Sequence, residues 1–221
     1  MFDRIISLIG ENKFNKLQGI KVLIVGLGGV GGYALETLIR SGVINIDILD
    51  YDKIDKTNLN RQIITNYNNI DKDKVEEAKK RALLINPNIN IKTYNTFLDD
   101  KNIKEILNNN YDYIIDACDS VDTKIELIKN KNNSNLISCM GTAKKIDPTK
   151  LSITTLDKTN YDKLAKIMRK KVKDLNINLK SVKVVSSTEK TIDCNELGSL
   201  MMVPATAGIL CATYVINNEI K

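Results

Sequence analysis

Histidine is absent from the 221 residues of this chain, and its absence removes several kinds of active site. A Ser-His-Asp triad, a Cys-His pair, a histidine general base and histidine metal ligands are all excluded. Any chemistry must therefore rest on carboxylates, amines, guanidinium groups and backbone amides.

Cysteine is scarce and scattered, because the four cysteines, Cys118, Cys139, Cys194 and Cys211, form no CxxC pair. The N-terminal segment MFDRIISLIGENKF is amphipathic and carries charges throughout, unlike a secretory signal. We therefore expect a reducing, cytoplasmic location and no thiolate zinc site. Cys194 lies in a loop-like stretch with no histidine to activate it, so a structural role is favoured over sulfur transfer or thioester formation.

Long apolar runs are also few. The longest is the uncharged stretch of seventeen residues LMMVPATAGILCATYVI, which starts at Leu200 and is interrupted by Pro204 and Gly208. This length is at the lower limit for crossing a bilayer. We expect a helix buried in the core or in a subunit interface, without stable membrane insertion.

Charge is unevenly distributed along the chain. Between Leu151 and Lys190, ten Lys/Arg stand against four Asp/Glu, and this surplus of six equals the net charge of +6 of the whole chain. A predicted helix over 162–174 carries six of these cations with no acid between them: Lys163, Lys166, Arg169, Lys170, Lys171 and Lys173. The pattern indicates an anionic macromolecule as partner, with a solvated helix face as the alternative.

A βαβ unit is predicted near the N-terminus. The stretch KVLIV has the unbroken apolar pattern of a buried parallel strand, GLGGVGG forms a turn, and an amphipathic helix follows and ends at Gly42. INIDILDYD reads as the second strand. Further strands and helices then alternate, which predicts a doubly wound, mainly parallel α/β sheet with its ligands beyond the carboxyl ends of the strands.

The turn has the spacing of a nucleotide-binding loop. Gly26, Gly28 and Gly31 match GxGxxG between a strand and a helix, with Gly29 inside the motif, and the helix N-terminus offers N–H groups to a phosphate. Asp50 ends the second strand, where it is placed to bond a ribose hydroxyl, and Asp52 follows among the expected nucleotide-binding residues.

The residues after this unit favour a triphosphate over the dinucleotide of a dehydrogenase. Asn58, Arg61 and Lys74 bring two cations toward the expected phosphates, where charge accumulates if the α-phosphorus is attacked. The loop DACDS then supplies Asp116 and Asp119 at the end of a later strand, where an aspartate can hold Mg²⁺. The alternatives are surface cations for Arg61 and Lys74 and a helix N-cap for Asp119.

The motifs GLGGVGG, NLNRQ, the lysine in DKDKVEEAK, INP and DACDS together resemble the adenylating domain shared by ubiquitin-activating enzymes and the bacterial ThiF/MoeB proteins. The resemblance implies that Asp50 binds the ATP ribose, that Asn58, Arg61 and Lys74 hold the phosphates, and that Asp119 carries Mg²⁺. The opening FDR resembles the arginine segment of the family. Arg4 would then reach the ATP bound by the other subunit of a homodimer.

The second half of the chain resembles the corresponding region of tRNA threonylcarbamoyladenosine dehydratases, through GTAKKIDPTKLSITTLDKTNYDKLAKIMRKKVK, STEK and the C-terminal apolar segment. This resemblance implies ATP-dependent adenylation of the modified tRNA adenosine beside the anticodon, followed by ring closure with net loss of water. The six cations listed above would contact tRNA. No linker or repeat divides the chain, so we expect one domain, with a nucleotide-binding core over 1–145 and a substrate-binding segment and buried helix over 146–221.

Two other functions stay open. An adenylyltransferase for a ubiquitin-like sulfur carrier shares the ATP motifs, although such members commonly hold zinc with two CxxC pairs, which are absent here. A sulfur-relay protein is a further candidate partner. A nicotinamide-binding oxidoreductase would use the glycine turn alone.

Overall fold

A seven-stranded sheet organises the chain in a computed structural model that describes residues 1–221. The strands are β1 (Lys21–Val25), β2 (Asn45–Leu49), β3 (Asn90–Tyr94), β4 (Tyr113–Asp116), β5 (Asn135–Cys139), β6 (Leu151–Thr155) and β7 (Lys183–Ser187). Their order is β3-β2-β1-β4-β5-β7-β6. All neighbouring pairs are parallel except β6 with β7, which confirms the prediction of a doubly wound, mainly parallel sheet.

Eight helices accompany the sheet: α1 (Asp3–Ile9), α2 (Glu11–Gly19), α3 (Gly31–Arg40), α4 (Lys74–Ile85), α5 (Ile103–Leu107), α6 (Val121–Asn130), α7 (Lys163–Asp174) and α8 (Met202–Ile220). The helices predicted after the glycine turn and through DKVEEAKK, NIKEIL, VDTKIELIK and the basic segment are all present. Strand β7 was not predicted, since only Val184 and Val185 mark it as apolar among neighbouring lysines and serines.

The core lies on both faces of the sheet. Alternate residues of β1 point to opposite faces, so that Val22 and Ile24 pack with one apolar cluster and Leu23 and Val25 with the other. The first cluster includes the inner faces of α3, α4 and α8, and the second those of α5, α6 and α7. This double coverage explains why KVLIV is apolar without alternation.

Helix α8 packs against α3, as expected for a buried helix. The two helices approach so closely that a Cβ on Gly208 would lie 2.2 Å from the carbonyl oxygen of Val30. Val203, Cys211 and Val215 are buried in this contact. No helix of the chain combines the length and the apolar character that crossing a membrane requires.

Candidate active site

A cavity of about 480 Å³ opens where the carboxyl ends of β1, β2, β4 and β5 meet. Its walls contain nearly all of the residues expected to bind a nucleotide: Gly26, Gly28, Gly29, Asp50, Asp52, Asn58, Arg61, Lys74 and Asp119. These residues come from four separate stretches of sequence. Gly31, Arg4 and the six cations of α7 are not part of the lining.

The glycine turn is shaped by two close backbone approaches. Gly26 has a φ of 91°, and a Cβ there would lie 2.9 Å from the backbone of Ala117 and Cys118. A Cβ on Gly31 would lie 1.8 Å from the carbonyl oxygen of Gly26. Gly31 is therefore required for the turn to close, although it lies outside the cavity wall.

Asp50 links this turn to the end of β2. Its Oδ2 accepts a hydrogen bond from the N–H of Leu27 at 2.6 Å, and its Oδ1 accepts one from the N–H of Asp52 at 2.8 Å. Burial raises the pKa of Asp50, and the nearby Lys74 ammonium and these two N–H groups oppose that rise. Because each carboxylate oxygen can accept a second hydrogen bond, Asp50 can also bind a hydroxyl in the cavity.

Lys74 brings a buried positive charge to the cavity wall. It is the first residue of α4, it is 5% exposed, and its Nζ lies 2.7 Å from Oδ2 of Asp52. The Asp52 side chain is 46% exposed, so water or an anion can approach the pair from the cavity side. An anionic ligand would meet an ammonium that has only one carboxylate partner.

Arg61 supplies the second cation at the cavity, and unlike Lys74 it has no carboxylate partner. Its Nη1 donates to the carbonyl oxygen of Thr57 at 2.8 Å and to Oδ1 of Asn60 at 3.0 Å. Asn58 closes the turn before it, because its Oδ1 accepts from the N–H of Asp55 at 3.1 Å. The turn therefore holds a guanidinium at the cavity while leaving its charge uncompensated.

Asp119 is exposed to the cavity, and no side-chain hydrogen bond or ion pair occupies its carboxylate. The alternative role as a helix N-cap is wrong, because Ser120 caps α6 by accepting from the N–H of Thr123 at 3.3 Å. No group of three or more potential metal ligands exists in the chain. A single free carboxylate suits Mg²⁺, which binds to one or two protein carboxylates together with phosphate oxygens and water.

Asp116 does not share this role, which corrects the expectation that it is available as a metal ligand. It is fully buried and forms an ion pair with the fully buried Lys124, with 3.0 Å between Oδ1 and Nζ. Ser138 donates to its Oδ2 at 2.5 Å, and Lys124 also donates to Ser138 and to the carbonyl oxygen of Cys139. This network fixes the end of β4, from which the Asp119 loop starts, to the end of β5.

Among the lining residues that were not singled out from the sequence, Gln62, Tyr51 and Phe97 have side chains suited to a ligand. Gln62 is 6% exposed, and its Oε1 has no hydrogen-bond partner in the protein. Its position directly after Arg61 in NLNRQ was the available signal. Tyr51 and Phe97 form an edge-to-face aromatic pair at the cavity, with ring centroids 5.1 Å apart. No spacing in the sequence predicts that pair, since it joins the loops after β2 and β3.

The cations of α7 divide into two groups. Lys163, Lys166, Lys170 and Lys173 are exposed and recur at the spacing of a single helix face, over about 15 Å; we call them the lysine stripe. Arg169 instead donates to the carbonyl oxygen and hydroxyl of Thr159. Lys171 pairs with Asp122 at 2.7 Å.

Arg4 lies on the exposed surface of α1, away from the cavity of its own chain. Helix α1 has no buried residue, and Gly10, with a φ of 84°, separates it from α2. A role for Arg4 in this cavity is therefore not visible in a single subunit.

The sheet order, the glycine turn and the cations around one cavity define a nucleotide-binding α/β protein, and the chain belongs to the ThiF family, which matches residues 2–217. Among its relatives is the tRNA threonylcarbamoyladenosine dehydratase of Bacillus subtilis, 33% identical over 241 residues, with 100% of this chain and 94% of the relative covered. The molybdopterin-synthase adenylyltransferase of Haemophilus influenzae is 35% identical over 208 residues, covering 93% and 77%.

A solved structure extends the likeness to three dimensions. The crystal structure of E. coli tRNA N6-threonylcarbamoyladenosine dehydratase in complex with ATP superposes with a TM-score of 0.94 at 32% sequence identity. The match covers 99% of this chain and 93% of that one.

Proposed function

We propose that this protein is an ATP-dependent tRNA threonylcarbamoyladenosine dehydratase. The observation that carries the proposal is the cavity itself, which collects an acceptor for a hydroxyl, two cations and a free carboxylate from distant parts of the chain. The dehydratases of Bacillus subtilis and Haemophilus influenzae match over 94% and 93% of their lengths and over the whole of this chain, including the basic segment that follows the nucleotide-binding core.

The chemistry follows from the charges at the cavity. The carboxylate of the modified adenosine attacks the α-phosphorus of ATP, and the bond to pyrophosphate breaks. Arg61 and Lys74 offset the negative charge that gathers on the phosphates in this step. A nitrogen of the same modification then attacks the activated acyl carbon, AMP leaves, and the nitrogen loses its proton, so that water is lost overall. Because the second step is intramolecular, it requires no histidine base or covalent thiol intermediate.

Asp50 and Asp119 have separate roles in this proposal. Asp50 accepts a ribose hydroxyl of ATP while it holds the glycine turn, and Asp52 and Asn58 complete that side of the nucleotide site. Asp119 would hold Mg²⁺, which supplies positive charge to the phosphates when bound. The Asp119 carboxylate is exposed and has no hydrogen-bond or ion-pair partner in the protein, which supports this assignment.

We assign residues 1–145 to nucleotide binding and 146–221 to substrate binding within one domain. The lysine stripe supports tRNA binding by the second part, and the free cysteines support a cytoplasmic location. A sulfur-relay protein would have to meet Cys194, the exposed cysteine.

A homodimer completes the proposal, with Arg4 reaching the ATP bound by the partner subunit. The support is the exposed position of Arg4 on a helix with no buried residue. Mixing Arg4→Ala and Asp119→Ala subunits, each inactive alone, should restore part of the activity, because one hybrid site then has both residues. If the subunits exchange and no activity returns, Arg4 does not act across the interface.

The function is tested with purified protein, MgATP and tRNA that carries threonylcarbamoyladenosine. Pyrophosphate release and a nucleoside lighter by one water, detected by mass spectrometry, are the expected results. Stimulation by a carrier protein that ends in two glycines would favour the adenylyltransferase instead. Binding of NAD without binding of MgATP would favour an oxidoreductase.

A further inference from the structure

Tyr161 has an unusual backbone for its residue type. It precedes the N-cap of α7 with a φ of 52°, in the left-handed region that bulky side chains rarely adopt. Four of the six non-glycine residues in this region are Asn or Asp, which tolerate it: Asp71, Asn110, Asn132 and Asn176. The strained conformation turns an aromatic ring outward at a position where Asn would be the ordinary choice.

Packing within the protein does not account for this ring. The Tyr161 side chain is 58% exposed and belongs to neither apolar cluster of the core. Its one specific neighbour is a cation, because Nζ of Lys190 lies 5.3 Å from the ring centroid. One face of a flat aromatic ring is thus left at the surface beside a positive charge.

Tyr161 is also adjacent along the chain to both the lysine stripe and the cavity wall. Asp162, the next residue, is buried against Gly141 of the cavity wall. A Cβ on Gly141 would lie 3.2 Å from Oδ1 of Asp162. Leu164, three residues beyond Tyr161, lines the cavity itself. Lys163 begins the stripe at this end, and Lys173 lies farthest along the helix.

We propose that Tyr161, Lys190 and the lysine stripe form a docking surface for a single-stranded loop of tRNA, in which one base stacks on the Tyr161 ring. The phosphate chain then runs along α7, and the nucleotide next to the stacked base is brought to the cavity. The inference rests on the proposed function and names how its RNA substrate is held.

The combination of side chains favours RNA over an acidic protein. Unpaired bases of RNA loops stack on exposed aromatic rings, while lysines along one face neutralise the phosphates that connect them. An acidic peptide would use the lysines and leave the ring without a partner. A base therefore explains both the charge pattern and the outward turn of Tyr161.

The experiment compares three tyrosine variants and one variant of the lysine stripe by equilibrium binding of unmodified tRNA, without ATP, at several salt concentrations. Tyr161→Asn removes the ring and keeps a residue that tolerates the left-handed backbone. Tyr161→Phe keeps the ring. Tyr67→Ala removes another exposed tyrosine, 77% exposed and outside the surface, and is the matched control. Heparin, which has negative charge and no bases, is bound in parallel, and the thermal unfolding and ATP affinity of each variant confirm that it folds.

We expect Tyr161→Asn to weaken tRNA binding about tenfold or more, with the slope of affinity against salt unchanged and heparin binding unaffected. Tyr161→Phe and Tyr67→Ala should bind tRNA like the wild type. Replacing all four lysines of the stripe with alanine should weaken both tRNA and heparin and reduce the salt slope.

Equal loss of heparin and tRNA binding in Tyr161→Asn would overturn base stacking, and so would unchanged tRNA binding. Either result leaves the proposed function standing if the wild type still processes modified tRNA. If the wild type neither binds nor processes tRNA, the proposed function and this inference both fail.

Discussion

Two aspartate–lysine pairs lie at the carboxyl ends of strands in this sheet, and they differ in how far their charges are enclosed. Asp116 and Lys124 are both completely buried, and the hydroxyl of Ser138 and the carbonyl oxygen of Cys139 complete their hydrogen bonds. Lys74 is buried, but its partner Asp52 is nearly half exposed at the cavity. The distances within the pairs, 3.0 Å and 2.7 Å, are similar.

This difference in enclosure suits the two pairs to different roles. The Asp116–Lys124 pair fixes a loop, and the Asp52–Lys74 pair can receive a ligand. Burial has the largest single influence on the pKa of Lys124 and lowers it, but the Asp116 carboxylate together with Cys118 and Cys139 raises it by more, so the net shift is upward and the lysine remains charged in the interior. A pair satisfied on every side has nothing to offer an incoming anion. The Asp52–Lys74 pair keeps an open side, where a phosphate can share the ammonium.

The largest expected effect follows from opening the enclosed pair. Lys124→Met leaves the Asp116 carboxylate buried without its counter-charge, and we expect the free energy of unfolding in urea to fall by about 3–5 kcal/mol. Adding Asp116→Asn should recover part of this loss because it removes the stranded charge. Lys129→Met, on the same helix, is the control, since its ion pair with Glu126 is partly exposed and should contribute less than about 1 kcal/mol. An unchanged unfolding midpoint in Lys124→Met would show that the Asp116–Lys124 pair does not stabilise the fold.

Substitutions of the cavity residues should change enzymatic activity more than stability. Asp119→Ala is expected to reduce ATP-dependent turnover by about a hundredfold or more, the scale of losing one electrostatic stabiliser, and Arg61→Ala and Lys74→Ala should act in the same direction. Stability should change little in Asp119→Ala, because the carboxylate has no protein partner. Asp122→Ala is the matched control, with a side chain 84% exposed. Near-normal turnover in Asp119→Ala would exclude Asp119 from the site.

Asp52→Asn tests whether the open pair also contributes to the fold. Because Asp52 is solvated and the Asp50 carboxylate also lies near the buried Lys74 ammonium, we expect the free energy of unfolding to change by less than about 1 kcal/mol. Both variants are measured by urea titration. If Asp52→Asn lost as much free energy of unfolding as Lys124→Met, the two pairs would contribute equally to stability.

The smallest effect concerns Cys118, which lies beside the enclosed pair. Burial and the Asp116 carboxylate raise the pKa of its thiol well above the usual value, so little thiolate forms between pH 7 and pH 9. Exposed Cys194 should therefore react first with iodoacetamide, as peptide mass spectrometry can follow. Rapid labelling of Cys118 in the folded protein would contradict this assignment.

Sequence predicted the parts of the site that depend on local order. The glycine turn and Asp50 directly follow β1 and β2, and NLNRQ begins nine residues after the end of β2, so their place at one sheet edge follows from the topology. The role of Asp116 was not predictable, because its partner Lys124 lies on another element and only the fold brings Ser138 to both. The same reason applies to Thr159, which holds Arg169 away from the lysine stripe.

The fold was predictable where hydrophobic patterns were long. Strands β1, β2, β4 and β5 have four or more buried residues in succession or nearly so, and the helices between them show apolar stripes. Strand β7 was not predicted from the sequence because its burial depends on β5 and β6 on either side. Two valines among polar residues have too little pattern to distinguish a central strand from a loop.

The weak attachment of α1 to the core has a consequence for local stability. With seven residues, none buried, and a glycine at its end, α1 is too short to remain helical by itself. Two contacts hold it: Phe2 packs against Phe14, with ring centroids 5.2 Å apart, and partly buried Ile9 packs against the first apolar cluster. In an isolated subunit its amide hydrogens should exchange with solvent long before those of β1. Protection of those amides on association would report directly whether a second surface holds the helix in place.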